Sequence, residues 1–260
     1  MTSGGQRKLF FVPPPVHNRR VIGAFLNALG ILLGALLGLA GRGDFSARTQ
    51  NWLRSALGAF TAFGGLQLVW LNVGGGFINV LKQLGLAVLA VVLGSLLGKL
   101  LGLQKISNWL GRRAAALLVP AEKNPPGRPL AGLVGATVLF CAAPLGWLGA
   151  VTDGLGDYFF PFALKAVMDG LAMAGFVKIC RWPAALAAVP VFFFFSGLTS
   201  AVHIFAHPWL ETHHAVAAVN IAAGLVICAT ALVVLGVRRV ELANYLPALV
   251  VAPLLARLLN

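Results

Sequence analysis

The chain has 260 residues, of which 59% are hydrophobic and only 10% are charged, and its mean hydropathy is +0.88. This composition excludes an ordinary soluble domain of this length and predicts an integral membrane protein surrounded by the lipid bilayer. A formal net charge of +13 would also suit a nucleic-acid-binding protein, but in a membrane protein basic residues usually report orientation. We therefore expect no nucleic acid as a partner.

Residues 1–20 form a polar tail that contains Pro13, Pro14 and Pro15. The tail lacks the charged-then-apolar order of a cleavable signal, so we expect the first apolar segment to remain in the protein. We interpret the rest of the chain, 21–260, as a single transmembrane domain with two parts, 21–118 and 129–260.

Eight apolar runs approach or reach the roughly 20 residues that cross a bilayer. They are 21–41, 56–71, 84–102, 130–150, 158–177, 183–203, 215–236 and 243–259, and the second and eighth are the shortest. The sequence therefore predicts an all-α polytopic transmembrane helical bundle of eight spans. Some spans are expected to be broken or re-entrant, because prolines such as Pro144 and Pro161 interrupt them.

The eight spans distribute the basic residues unevenly between the two sides of the membrane. One side receives Arg42, Arg48, Arg54, Lys99, Lys105, Arg112, Arg113, Lys123, Arg128, Lys178, Arg181, Arg238 and Arg239, and the other receives Arg7, Lys8, Arg19, Arg20, Lys82 and Arg257. Basic residues concentrate on the cytoplasmic side, so this asymmetry places both termini outside. The basic tail argues for the opposite orientation, and both alternatives stay open.

A sequence repeat links the first and third spans. Residues 31–38 match residues 91–98, and each copy is followed by Asn-Trp-Leu within a basic amphipathic stretch, at 50–57 and 106–117. Because a single span separates the copies, we predict a parallel internal repeat of one span plus one interfacial helix.

Both copies carry small residues at a spacing of four, Gly34 with Gly38 and Gly94 with Gly98. This spacing lets helix backbones approach closely in a membrane. The favoured interpretation is helix packing within one chain, and the alternative is contact between subunits of a homo-oligomer.

Asp153, Asp157, Lys165 and Asp169 lie close together in a stretch that is otherwise apolar. Charges are costly inside hydrocarbon and usually face a protein interior or a water path. If 157–170 is helical, Asp157, Lys165 and Asp169 share one stripe, and the last two stand one turn apart and can pair. Asp153 precedes that helix, where its carboxylate could cap a helix start or face an external mouth.

Two interpretations of this cluster are open. In the functional one, Asp153 and Asp157 gather cations at an acidic mouth, and Lys165 with Asp169 forms a mid-depth site that exchanges a proton or coordinates a small ion. In the structural one, the Lys165–Asp169 pair only fixes helix packing, and the other two carboxylates are solvated.

Other polar residues are weaker candidates. Asn27 and Gln67 could line the polar path, or equally bond to neighbouring helices. His203 and His207 stand one helical turn apart, but no cysteine completes a metal site, so interfacial histidines are the favoured interpretation. We expect no metal and no cofactor. No hydrolase or phosphate-loop pattern is present, so we also expect no enzymatic activity.

Three motifs occur in order along the second half of the chain: Asp-Gly-Leu-Gly-Asp at 153–157, Lys-x-x-x-Asp-Gly at 165–170 and Asn-x-Leu-Pro-Ala at 244–248. With the Gly-rich run at 22–38, they make residues 21–257 resemble the YqgA-like family, known as domain of unknown function 554. The resemblance implies a multi-pass protein of the bacterial inner (cytoplasmic) membrane, in a family usually described only as membrane or transport proteins.

Together these features predict a transporter or channel for a small ion or small polar solute, centred on the fifth span. The alternative is a non-transporting scaffold whose small-residue spans assemble subunits or partners.

Overall fold

The computed structural model describes residues 22–41, 46–118 and 129–259, so the tail 1–20 lies outside the described residues. Within these ranges the protein is helical, without strands. The α-helices are α1 Ile22–Ala40, α2 Ala47–Asn72, α3 Phe77–Leu100, α4 Leu103–Leu118, α5 Pro129–Ala142, α6 Pro144–Gly156, α7 Phe160–Cys180, α8 Ala188–Ala201, α9 His207–Thr212, α10 Val216–Val234 and α11 Ala248–Leu259. Shorter 3₁₀ turns cover Trp182–Ala187 and Leu242–Tyr245, and a π-helical turn covers Val202–Ala206.

Five helical segments of the described residues are long and apolar enough to cross a membrane, and a sixth crossing arises if the bent pair α5–α6 counts as one span. The five are Ile22–Ala40, Phe77–Leu100, Phe160–Cys180, Trp182–Thr212 and Val216–Val234. The predicted second span belongs to α2, whose first two turns carry Arg48 and Arg54, and the predicted eighth belongs to a shorter apolar stretch, Leu242–Leu258. The all-helical membrane architecture is confirmed, whereas the count of eight stays a prediction.

The fourth apolar run, 130–150, is broken at Pro144 as expected, because the chain bends by 59° between α5 and α6. Ala143 is extended at φ −67° and ψ 123°, and Pro144 is the first residue of α6. Proline has no N–H to continue the ladder of α5, and it pushes the preceding residue out of helical geometry. α6 then continues to Gly156 and includes Asp153.

The predicted helix 157–170 begins three residues late. Asp157 ends α6 in the left-handed region at φ 55°, a conformation that aspartate tolerates better than most residues. α7 then starts at Phe160, with Pro161 in its first turn, where a missing N–H costs nothing. Asp157 therefore leaves the stripe that it was predicted to share with Lys165 and Asp169.

Two apolar clusters meet along α6. One includes Ile31 of α1, Phe162 of α7 and Phe195 of α8, and the other includes Leu68 of α2 with Ile227 of α10. α6 contributes Ala150 to the first cluster and Leu148 to the second. The helix that follows the break therefore lies between the two halves of the bundle.

Small residues bring the helix backbones together within the chain. On α1, a Cβ added at Gly34 would collide with the Gly170 backbone of α7, and one added at Gly38 would collide with Ala174. Gly94 and Gly98 of α3 lie in the same way against the segment that leads into α11, at Ala248 and Asn244. The predicted small-residue pairs thus serve packing inside one chain.

The two copies of the sequence repeat do not fold alike. The first amphipathic stretch, predicted as a separate interfacial helix at 50–57, is part of the continuous 26-residue helix α2. The second forms a separate helix, α4, after a turn at Gly102 with φ 64°. The two stretches have different packing partners. The first continues into a segment of α2 that packs on α10, where Gly65 lies directly against Gly224.

We expect Gly34→Ala to destabilise the bundle by about 1–3 kcal/mol, because the new methyl group would push α1 away from Gly170. Gly85→Ala on α3 is the matched control, since no atom lies within 4 Å of a Cβ built there. Its better helix propensity should stabilise the protein by about 0.5–1 kcal/mol. Thermal unfolding in detergent measures both, and equal melting temperatures would contradict the close contact.

Candidate functional site

A buried ion pair lies in the middle of α7. Lys165 Nζ is 2.6 Å from Asp169 Oδ2, and the two side chains are only 1% and 9% exposed. The residues stand one helical turn apart, as the sequence predicts, so the pair forms within a single helix. The distance is that of a strong charge-assisted hydrogen bond.

Aromatic rings and the break between α5 and α6 surround the lysine. Its Nζ lies 5.7 Å from the ring centre of Phe140 at the end of α5 and 5.4 Å from that of Phe195 on α8. On α6, a Cβ at Gly146 would come within 2.8 Å of Lys165 Cε, so only glycine leaves room for the lysine stem. The ammonium is thus held by cation–π contacts and one carboxylate, away from water.

Asn27 of α1 completes what we call the polar centre, formed by Asn27, Lys165 and Asp169. The Asn27 side chain is fully buried and faces the Asp169 carboxylate. Neither its Nδ2 nor its Oδ1 has a partner of good hydrogen-bond geometry. The amide thus lies near the carboxylate without a well-aligned hydrogen bond, which is costly inside a protein, so the polar centre has hydrogen-bonding capacity that its own residues use only in part.

A cavity of about 590 Å³ reaches the carboxylate end of this centre. Asp169 lies in its wall next to Ala143 at the helix break, and Asn108 and Arg112 of α4 line its other side. Lys165 does not line the cavity, so the two charges differ in access: the aspartate is at a cavity wall and the lysine is in a dry interior. α4 carries both Arg112 and Arg113.

Asp153 is not at an exposed mouth, contrary to the prediction. It lies inside α6, is 3% exposed, and its carboxylate faces the backbone N–H of Gly23 at the start of α1. Its Oδ2 has no hydrogen-bond partner. The first N–H groups of a helix carry partial positive charge, so a carboxylate here stabilises the beginning of α1.

Two further predicted residues lie outside the polar centre. Asp157 is exposed in the turn between α6 and α7. Gln67 of α2 accepts a hydrogen bond from the Tyr158 hydroxyl at 3.3 Å, and the same hydroxyl is 2.7 Å from the Gly64 carbonyl oxygen. Gln67 therefore joins α2 to the start of α7. The structure brings together three of the six predicted pathway residues, namely Asn27, Lys165 and Asp169.

Several residues of the site carry no strong signal in the sequence. Phe195 ends the aromatic run 192–195, and only its full burial separates it from Phe193, which is 68% exposed. The break at Pro144 can be predicted from the sequence, and Phe140 and Gly146 lie within four residues on either side of it. Arg112 is visible only as one of several basic residues of an amphipathic stretch.

The histidine region forms a separate surface cluster. The rings of His203 and His207 stack with centroids 5.1 Å apart, and His203 Nδ1 is 3.1 Å from the Gly154 carbonyl oxygen. His207 Nδ1 lies 3.6 Å from Glu211 Oε2. Within the described ranges, no three His, Cys, Asp or Glu side chains are grouped as metal ligands would be.

We expect Lys165→Met to cost about 3–5 kcal/mol, because it leaves the buried Asp169 without its partner. The double variant Lys165→Met/Asp169→Asn removes both charges and should recover most of that loss. Lys82→Met, the same change at an exposed position of α3, is the control and should shift stability by no more than about 0.5 kcal/mol. Unfolding in detergent measures all three. A Lys165→Met protein as stable as the control would show that the pair is not buried.

We expect Asp153→Asn to stabilise the protein by about 1–2 kcal/mol, because it removes a buried carboxylate whose Oδ2 has no hydrogen-bond partner, and the cost of burying that charge exceeds its attraction to the first N–H groups of α1. Asp157→Asn should change stability little, since asparagine also tolerates the left-handed conformation. Thermal unfolding of the two variants side by side is the measurement. Equal effects would place both carboxylates in solvent.

Comparison with known proteins gives a family without a described activity. The family model "protein of unknown function (DUF554)" matches residues 22–257. The chain is 31% identical over 236 residues to "uncharacterized protein YqgA" of Escherichia coli (strain K12), covering 89% of this chain and 94% of the relative.

It is also 24% identical over 236 residues to "uncharacterized membrane protein YdfK" of Bacillus subtilis (strain 168), covering 90% of this chain and 94% of the relative. No solved structure gives a significant match. The match to the family model spans most of the length, including α1, the helix break and the polar centre, and the protein therefore belongs to the DUF554 family of membrane proteins of unknown function.

Proposed function

We propose that this protein is a transporter or channel that moves a small ion or small polar solute across the membrane, with the polar centre as its site. The observation that carries the proposal is the buried Lys165–Asp169 pair, whose carboxylate lines a cavity beside a broken helix. In membrane transporters, binding sites form where helices are interrupted near mid-depth.

The energetics of the pair support a functional role. Two charges withdrawn from water lose several kcal/mol of hydration each, and apolar residues of the same volume often stabilise a fold as well or better. α1 and α7 already pack through small residues, from Gly30 against Ala166 to Gly38 against Ala174. The charges are therefore unnecessary for holding these helices together, and intramembrane charges generally mark ion or proton paths.

The proposed cycle uses exchange at Asp169. A proton or cation that enters through the cavity binds the carboxylate and weakens its 2.6 Å bond to Lys165 Nζ. The freed ammonium and the unpaired Asn27 amide then favour a different packing around the break at Pro144. Loss of the proton or ion restores the pair. This exchange couples occupancy of the site to conformation.

Access from the other side is blocked in this conformation. Toward the start of α7, Phe162 and Phe195 pack edge to face with ring centroids 5.4 Å apart, and both are fully buried. The two phenyl rings therefore form the barrier that transport would have to open.

The location and assembly state belong to the same proposal. Both relatives are bacterial proteins and one is named a membrane protein, so we place this chain in the bacterial inner membrane, with eight crossings in total. We propose a transporter or channel that catalyses no covalent reaction. A homo-oligomer is also part of the proposal, with its contacts made by apolar side chains that the single chain leaves exposed.

We expect purified protein in liposomes to carry at least one member of a panel of protons, alkali cations, halides and small neutral solutes, tested with and without a pH gradient. The Lys165→Met/Asp169→Asn variant should assemble normally and show only the flux of empty liposomes. The charge-neutralising controls Lys82→Met and Glu211→Gln, both at exposed positions, should retain the wild-type flux.

Two results would contradict the proposal. One is a wild-type protein that moves nothing in the panel under either condition. The other is a double variant with full flux. A double variant that loses its oligomeric state instead of its flux would support the alternative, a membrane scaffold whose charged pair is structural.

A further inference from the structure

We propose that Arg54, Arg238 and Arg239 form a binding site for a phosphate-bearing anion, occupied in the membrane by the headgroup of an anionic phospholipid. The three arginines line a single cavity of about 820 Å³ between α2, α7 and the segment that follows α10. This volume is within the range of about 300–1,000 Å³ that is typical of ligand sites. The site does not depend on the proposed transport function.

A fixed turn brings the arginines together. α10 ends in a Schellman motif, in which Gly236 has φ 73° and its N–H bonds to the Val233 carbonyl, while the Val237 N–H bonds to the Leu232 carbonyl at 3.0 Å. The chain therefore leaves α10 in one direction, and Arg54 Nη1 lies 3.8 Å from the position of a Cβ on Gly236. The α2 arginine and the loop arginines thus meet at one rim.

The positive charge at this rim is not neutralised by described residues. The acid closest in sequence, Glu241, accepts a hydrogen bond from Asn244 Nδ2 at 2.7 Å. Neither the Lys165–Asp169 pair nor the His207–Glu211 pair involves these arginines. Guanidinium groups bind phosphate oxygens in pairs of parallel hydrogen bonds, so three of them in one cavity favour a phosphate group.

Apart from Gln50, the rest of the cavity lining is apolar, which favours a lipid over a free anion. Below the arginines it is lined by Leu53 and Leu57 of α2, Leu171 of α7 and Val233 of α10. A soluble phosphate would leave this surface uncovered, whereas the acyl chains of a phospholipid would fill it. Clustered arginines at a membrane surface also attract anionic headgroups.

The test measures lipid binding by the full chain in neutral detergent, using native mass spectrometry and thermal shift with added phosphatidylglycerol or phosphatidylcholine. We expect phosphatidylglycerol to bind the wild type about tenfold more tightly than phosphatidylcholine. The variant Arg54→Gln/Arg238→Gln/Arg239→Gln should lose that preference and keep its binding of phosphatidylcholine, which also shows that it folds. The matched control Arg113→Gln/Arg181→Gln/Arg257→Gln removes the same charge elsewhere and should keep the preference.

A second arm titrates inorganic phosphate and glycerol 3-phosphate in the absence of lipid. Weak or no binding of these anions would support a lipid headgroup as the occupant. Binding of free phosphate as tight as that of phosphatidylglycerol, and lost in the same variant, would support the phosphate site and overturn the lipid as its occupant. Equal binding of both lipids by the wild type, or equal loss in the two triple variants, would overturn the site itself.

Discussion

One ammonium and one carboxylate, 2.6 Å apart on a single helix and almost without contact to water, set the demands that the rest of this protein meets. Neither charge could remain buried alone, because each would lose several kcal/mol of hydration without compensation. The fold supplies what the pair needs. Two phenyl rings lie beside the ammonium, a glycine leaves space for the lysine stem, and a cavity reaches the carboxylate.

The helix break is the second element on which the site depends. In a straight helix through residues 130–156, every backbone group near Lys165 would be hydrogen-bonded within the helix. Pro144 prevents this, and it leaves the end of α5 and the start of α6 on either side of the lysine. Because α6 contributes residues to both apolar clusters, a change of conformation at the break would alter the packing of both. A charged pair and a broken helix at one place are the arrangement expected of a site that changes conformation.

Close packing of small residues makes this arrangement possible in a narrow bundle. α1 approaches α7 so closely that Gly34 lies against the Gly170 backbone, which also brings Asn27 to the Asp169 carboxylate. Dispersion contacts hold such helices together in lipid, where the hydrophobic effect does not drive helices to associate. The same closeness excludes water, so polar groups that remain inside, such as the Asn27 amide, stay without partners unless a ligand or another conformation satisfies them.

The sequence by itself determined the membrane class, the family and the Lys165–Asp169 pair, because these depend on composition, on motifs and on spacing along one helix. Tertiary structure decided where Asp153 and Gln67 lie, since one is set by the start of α1 and the other by Tyr158. It also decided that the first amphipathic stretch continues into α2 while the second stays a separate helix. Periodicity reports which face of a helix is apolar. It does not report which helix covers that face or whether water reaches it, because both depend on residues far away in the chain.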